Sequence, residues 1–153
     1  MKKSVHAFTL VELLIVIAII GILAVASVVI LNQARVKSRD AKRISDIQVI
    51  RAGLEQHWLE KAAYPAAASQ ISLGTGNAAV LTSNGFEASP TGQVYLPKIP
   101  TDPKGSVYYL YQCSNPTAGY TIQFTTEGPT TFGSSAGTFY AHSNGVDSDP
   151  TQK

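Results

Sequence analysis

Two hydrophobic patterns follow one another along this chain. From Leu10 to Leu31 the residues are apolar almost without interruption, and the one charge among them is Glu12. About 22 residues of helix rise about 33 Å, enough to cross the hydrocarbon core of a bilayer. Further on, Ile44, Ile47, Ile50, Leu54 and Trp58 recur at steps of three and four, the spacing of an apolar stripe on one helix face. Arg43, Asp46, Arg51, Glu55 and Lys61 are expected on the other faces, with Arg51 and Glu55 spaced for a surface pair worth a few tenths of a kcal/mol. Tyr64-Pro65 stops the pattern, because proline cannot continue the hydrogen-bond ladder. The pattern predicts one helix from about Thr9 to Ala63, apolar all round in its first half and amphipathic in its second.

Beyond the helix the period shortens. Residues 107–113 and 120–126 read as strands joined by a turn at 114–119, and Thr138–His142 as a third. An antiparallel meander covering the apolar stripe is the simplest arrangement, so the expected fold class is α+β: a long N-terminal helix packed on a small sheet. Ala66 to Lys98 is small and polar, with an apolar island at 78–81; a loop of that length is functional or partly structured. Pro100-Thr101-Asp102-Pro103-Lys104-Gly105 reads as a proline-set turn before the first of these strands.

Composition narrows the class. The 153 residues carry a net charge of +2, too near balance to argue for a nucleic-acid partner. Cys113 is the only cysteine, so no disulfide forms within the chain and no thiolate cluster is available for zinc. The basic run Arg35, Lys37, Arg39, Lys42, Arg43 has the charge to meet DNA or anionic headgroups; Asp40 interrupts it, and solvated helix surface is the simpler expectation. The same run opposes the positive-inside rule if the following residues are exported, as their composition suggests.

Candidate chemistry is sparse. His6, His57, His142 and Cys113 have no local spacing that assembles a nucleophile with its base, so no enzyme is expected. Gly74-Thr75-Gly76-Asn77 lacks the Lys-Ser/Thr that follows a phosphate cradle. Asp147 and Asp149 alternate as calcium ligands do, but without the full ligand spacing, and an exposed acidic tail is the simpler reading. Tyr108, Tyr109 and Tyr111 suit sheet packing better than base stacking.

The apolar N-terminus fits three roles: a plain anchor, a secretory signal cut after Ala26 at Ala24-Val25-Ala26, or a span that later becomes the core of an assembly. Glu12 separates them, since a carboxylate at the centre of a membrane helix costs roughly 2.5–3.5 kcal/mol and neither of the first two roles needs it. The stretch Ala7-Phe8-Thr9-Leu10-Val11-Glu12-Leu13-Leu14-Ile15-Val16 behind Lys2 and Lys3 resembles the processing segment of type IV pilins and type II secretion pseudopilins.

That resemblance implies cleavage between Ala7 and Phe8 by a prepilin peptidase, methylation of Phe8, and retention of the apolar helix. It departs from the family at Ala7, where glycine is usual. The implied parts are a leader (1–7), a transmembrane and filament-core helix (8–35), its amphipathic continuation (36–64) and a head (65–153). The implied role is polymerisation into a helical filament of identical copies. The chain would sit once across the cytoplasmic membrane and then enter an extracellular pilus or an envelope-spanning pseudopilus, with assembly machinery as partner. Paired with Phe8 of the same or a neighbouring copy, Glu12 would set the axial register. The first expectation is a type IV pilus-like filament subunit. The alternative within the family is the major pseudopilin of a type II secretion machine, a group with calcium in its C-terminal region; the turn at 100–105 and the missing disulfide favour it. The alternative from another class is a small exported binding domain released after Ala26.

Overall fold

A computed structural model describes residues 9–105 and 107–151 and divides the chain into two compact units, one ending at Val36 and one beginning at Lys37. The helix α1 runs Leu10–Lys61. It ends two residues short of the expected stop. Ala62 adopts the left-handed conformation (φ 52°) usual for glycine at a helix end, and Tyr64 N–H then donates to the Pro116 carbonyl at 2.9 Å. His57 supports this end, with Nδ1 2.7 Å from the Ala63 carbonyl oxygen.

In the second unit, β1 (Ala67–Ser72), β5 (Leu110–Cys113), β6 (Thr121–Thr125), β7 (Thr138–His142) and β8 (Gly145–Asp147) form one antiparallel sheet in the order β1-β5-β6-β7-β8. The register places Tyr111 opposite Ile122, and Ile122 opposite Ala141. The inward side chains Tyr109, Tyr111, Ile122 and Phe124 join Ile47, Ile50 and Leu54 of α1 in one core. The stripe is therefore used as expected, although Ile44 and Trp58 at its ends are only half-buried. Tyr64 ties the helix end to the sheet, stacking on Trp58 at 4.7 Å and meeting Tyr120 edge-on at 4.7 Å.

Residues 66–98 are structured over much of their length. They contain β1 and a second sheet of β2 (Val80–Thr82), β3 (Gly85–Glu87) and β4 (Val94–Leu96) in the order β3-β2-β4. Strands of three residues carry too little alternation to register as strands in a sequence. The apolar island at 78–81 is the start of β2, where Val80 and Leu81 are buried. Gly53 of α1 makes room for this layer: a Cβ there would lie 2.5 Å from Leu96 Cγ. The acidic C-terminal stretch is likewise a strand, β8, paired with β7.

The main correction concerns charge. Arg43 and Asp46 do not lie on solvated faces; each is 1% exposed. Arg43 Nε donates to Asp102 Oδ2 at 2.6 Å and Nη2 to Asp102 Oδ1 at 3.1 Å. Its Nη1 donates to Asp40 Oδ1 at 2.7 Å and lies 2.8 Å from Glu127 Oε1. Glu127 also accepts from Arg39 (2.8 and 2.6 Å) and pairs with Lys104 at 3.0 Å. Asp40 in turn accepts the amides of Glu127 and Gly128 at 3.0 and 2.9 Å, and Asp102 accepts the Lys104 amide at 2.8 Å. Beside this cluster, Asp46 takes Lys42 at 2.5 Å and the Tyr109 hydroxyl at 3.1 Å. Arg51 and Glu55 do not form the expected surface pair: Arg51 donates to the Ser143 carbonyl and Glu55 accepts from Tyr64.

Burial alone would pull the Arg43 guanidinium toward losing its proton; its hydrogen bonds to Asp102, Asp40 and Glu127 outweigh that and hold it above its ordinary value. The Glu127 carboxyl is held well below the usual carboxylate range, chiefly by Arg39 and against partial burial, with Lys104 and Arg43 adding to the effect.

Arg43→Met should lower the stability of the second unit by about 3–5 kcal/mol, because Asp40 and Asp102 would remain buried without their cation; thermal unfolding of the full chain in detergent measures it. Glu127 has a depressed native pKa, so its contribution is complete above the unfolded carboxyl value of about 4.3 and is lost as pH falls below it. Melts between about pH 3 and 7 should therefore show an acid limb that becomes shallower in Glu127→Gln.

Candidate assembly site on the N-terminal helix

The N-terminal unit is built from side chains with nothing of their own to pack on. None of the most apolar stretch of α1 is buried; Leu10 is 79% exposed and Ile22 71%. An apolar surface this large is not stable in water and calls for lipid or further helices around it. The helix meets the length and composition test for a membrane span.

Glu12 begins this surface and belongs to a cap. Thr9 precedes the first helical residue, and its Oγ1 accepts the Glu12 amide at 3.2 Å. Glu12 Oε2 reaches back to accept the Thr9 amide and the Thr9 hydroxyl, both at 2.9 Å. This is a capping box: two otherwise orphaned backbone N–H groups are satisfied by the side chains of one turn. The Thr-x-x-Glu spacing at 9–12 was legible in the sequence, but the membrane cost of Glu12 overshadowed it. The carboxylate thus enters the apolar helix already holding two hydrogen bonds, which offset part of its desolvation. Ala7, Phe8 and His6 lie outside the described residues.

The C-terminal calcium candidates already hold other partners. Asp147 Oδ1 accepts the Asp149 amide at 2.8 Å and lies 3.1 Å from His142 Nε2. Asp149 Oδ1 accepts the amide and hydroxyl of Thr151 at 2.9 and 2.7 Å, and its backbone carbonyl faces His142. The two carboxylates thus turn to different partners around a fully buried imidazole. Calcium takes six to eight oxygen ligands, so these two carboxylates would supply only part of a shell, with the rest left to backbone carbonyls and water. Among the described residues no group of three or more His, Cys, Asp or Glu side chains could hold a metal ion. The carboxylates that do converge, Asp40, Asp102 and Glu127, converge on the Arg43 guanidinium.

The remaining candidates are structural. Cys113 is buried, its thiol is pushed up by burial, and it donates to the Gly119 carbonyl at 3.2 Å. The Gly74 amide serves the local turn, donating to the Ala78 carbonyl at 2.7 Å. Tyr109 and Tyr111 are buried in the core while Tyr108 stays 43% exposed, so no stacking platform is formed.

An exposed apolar helix headed by one capped carboxylate and continued into an α+β head defines a pilin-like filament subunit. Residues 2–28 match the family described as the prokaryotic N-terminal methylation motif. Type II secretion system core protein G of Pseudomonas aeruginosa is 32% identical over 121 residues, covering 70% of this chain and 73% of that protein. Proteins of the same name from Pectobacterium carotovorum and Dickeya chrysanthemi are 31% and 29% identical, covering 69% and 72% of this chain and 65% and 70% of their own. No solved structure gives a significant match. The chain belongs to the pilin and pseudopilin family represented by core protein G.

The partners that Asp147 and Asp149 already hold lead to one expectation for calcium. A site at ten times its Kd would add about 1.4 kcal/mol of stability. Added calcium or a calcium chelator should leave the melting temperature of the full chain unchanged, as read by scanning calorimetry.

Proposed function

We propose that the chain is the repeating subunit of a secretion pseudopilus, cut between Ala7 and Phe8 by a prepilin peptidase and methylated on Phe8. The observation that carries this reading is the unburied apolar helix, on a chain whose residues 2–28 match the methylation motif. The leader (1–7) is removed, and the segment 8–35 lies in the cytoplasmic membrane until it passes into the filament core. The continuation (36–64) carries the head (65–153) outward. The names of the three relatives favour the secretion machine over a surface pilus.

The mechanism is polymerisation. A bilayer covers the apolar helix first, and neighbouring copies of the same helix cover it afterwards. The exchange replaces lipid contacts by side-chain contacts, so apolar burial alone does not choose the stagger between copies. Glu12 makes that choice. Once Phe8 carries the new amino terminus, its cation and the Glu12 carboxylate attract most strongly when the stagger brings them together. A neighbour that offers the Phe8 cation offers Glu12 more than the Thr9 cap does, so the carboxylate exchanges partners on assembly. Ala7 in place of glycine adds one methyl group at the cleavage point and leaves it small.

Protein isolated from its native host should begin at N-methylated Phe8, as read by intact mass and N-terminal sequencing. A start at Ser27 would remove Glu12 with the leader and overturn the filament reading. In the same host, Glu12→Gln should leave cleavage intact and reduce the yield of sheared filaments by about tenfold or more, the loss expected when a register-setting charge pair worth at least ~1.4 kcal/mol is removed.

A further inference from the structure

The outer face of the five-stranded sheet is built without charge: β1, β5, β6 and β7 contain no Asp, Glu, Lys or Arg. Tyr111, Ile122, Phe124, Phe139 and Ala141 are buried in the core, so their neighbours along each strand point the other way. Gln112, Gln123, Thr125 and Tyr140 thus share the outer side, and Tyr140 lies directly across from Gln123. Gln70 joins them, its Nε2 donating to Gln123 Oε1 at 3.1 Å, while Gln112 Nε2 donates to the Ala68 carbonyl at 3.2 Å. The ladder runs on past β5, with the Leu73 amide donating to the Tyr109 carbonyl at 2.8 Å. Leu110 pairs with Gln123, so Tyr108, two residues earlier and 43% exposed, falls level with Thr125. Tyr108 and Tyr140 therefore stand on either side of β6, two strand spacings or about 10 Å apart across the sheet.

We propose that this face binds a neutral, ribbon-like polysaccharide, with Tyr108 and Tyr140 under successive sugars and the glutamine amides on their hydroxyls. A pyranose ring offers a C–H face that packs on the electron-rich face of a tyrosine ring. Its rim of hydroxyls both donates and accepts, as a glutamine amide does. The tethers on Gln70 and Gln112 fix where these amides stand, so less side-chain freedom is lost on binding. A sheet surface with two separated rings suits an extended chain better than a single sugar. The absence of charge selects a neutral polymer, because a uronic acid chain would lose water from its carboxylates with no cation opposite. The nearest acid in register is Asp147, across from Tyr140 at the edge of the sheet, where its Oδ1 accepts the Asp149 amide. This inference goes beyond the filament reading and does not depend on it.

The test sediments the full chain, in a sugar-free detergent, with swollen cellulose and with chitin, two neutral β-linked ribbons. A polygalacturonate gel is the charged comparison and cellohexaose the soluble competitor. The chain should be retained on at least one neutral ribbon, and retention on cellulose should be released by cellohexaose. Retention should also be unaffected by about 0.5 M salt. Tyr108→Ala and Tyr140→Ala should each weaken retention about tenfold, as should Gln123→Glu, whereas Leu59→Ala on the helix should not. Melting temperatures report whether the sheet is intact, and Tyr108, outside the strands, carries the test if Tyr140→Ala unfolds. No retention on either neutral ribbon overturns the proposal. So does equal retention on polygalacturonate, or retention that survives both tyrosine substitutions. Substitutions that lower filament yield in the host but leave glycan retention unchanged also overturn it and assign the face to a second copy.

Discussion

Arg43 is the residue on which the second unit depends. Its guanidinium meets carboxylates from its own helix (Asp40), from the turn before β5 (Asp102) and from the segment after β6 (Glu127). A charge withdrawn this far from water is tolerated only because nearly every donor has an acceptor, and two of the three acceptors, Asp40 and Asp102, are themselves bonded to backbone amides. The return is specificity. Apolar side chains along the stripe could pack on the sheet in neighbouring registers, but a single position of the helix places Arg43 among three carboxylates. The ion cluster thus selects the register that lets Ile47, Ile50 and Leu54 meet Tyr109, Ile122 and Phe124.

The two units satisfy opposite requirements. The second encloses its apolar residues and much of its charge, and is complete as a fold. The first encloses nothing: its apolar residues stay exposed along the whole span. A chain with one closed unit and one open unit of this kind cannot remain alone in water, because the open unit must be covered by lipid or by copies of itself. Family membership and structure agree on this point. The cap at Thr9 and Glu12 shows how the one acid is accommodated before any partner arrives.

The basic run reads differently in the folded unit than along the chain. Counting Arg35, Lys37, Arg39, Lys42 and Arg43 along the chain gives a strong positive block after the span. In the folded unit Arg39, Lys42 and Arg43 are all held by carboxylates, and two of those, on Asp102 and Glu127, come from 59 and 88 residues further along. Local spacing has no access to such pairs. For the same reason the turn at Asp102-Pro103 read as punctuation, although Asp102 is one of the three anions around Arg43.

Much of this protein was legible in one dimension. The apolar span, the amphipathic continuation, the stop near Pro65, the strand at 138–142 and the odd carboxylate at Glu12 are local patterns, and periodicity reports local patterns faithfully. The resemblance at residues 7–16 added the family, which the comparisons bear out. Tertiary structure alone decided the rest. The second sheet rests on strands of three residues, too short for alternation to register, and on Gly53 leaving space for Leu96. The acidic end became β8 because β7 offered an open edge for it to pair with. Arg43 and Asp46, polar by any sequence rule, went inside because partners distant in sequence arrived to satisfy them. Hydrophobic pattern is a property of neighbours along the chain, whereas the burial of a charge is a property of whatever the fold brings to it.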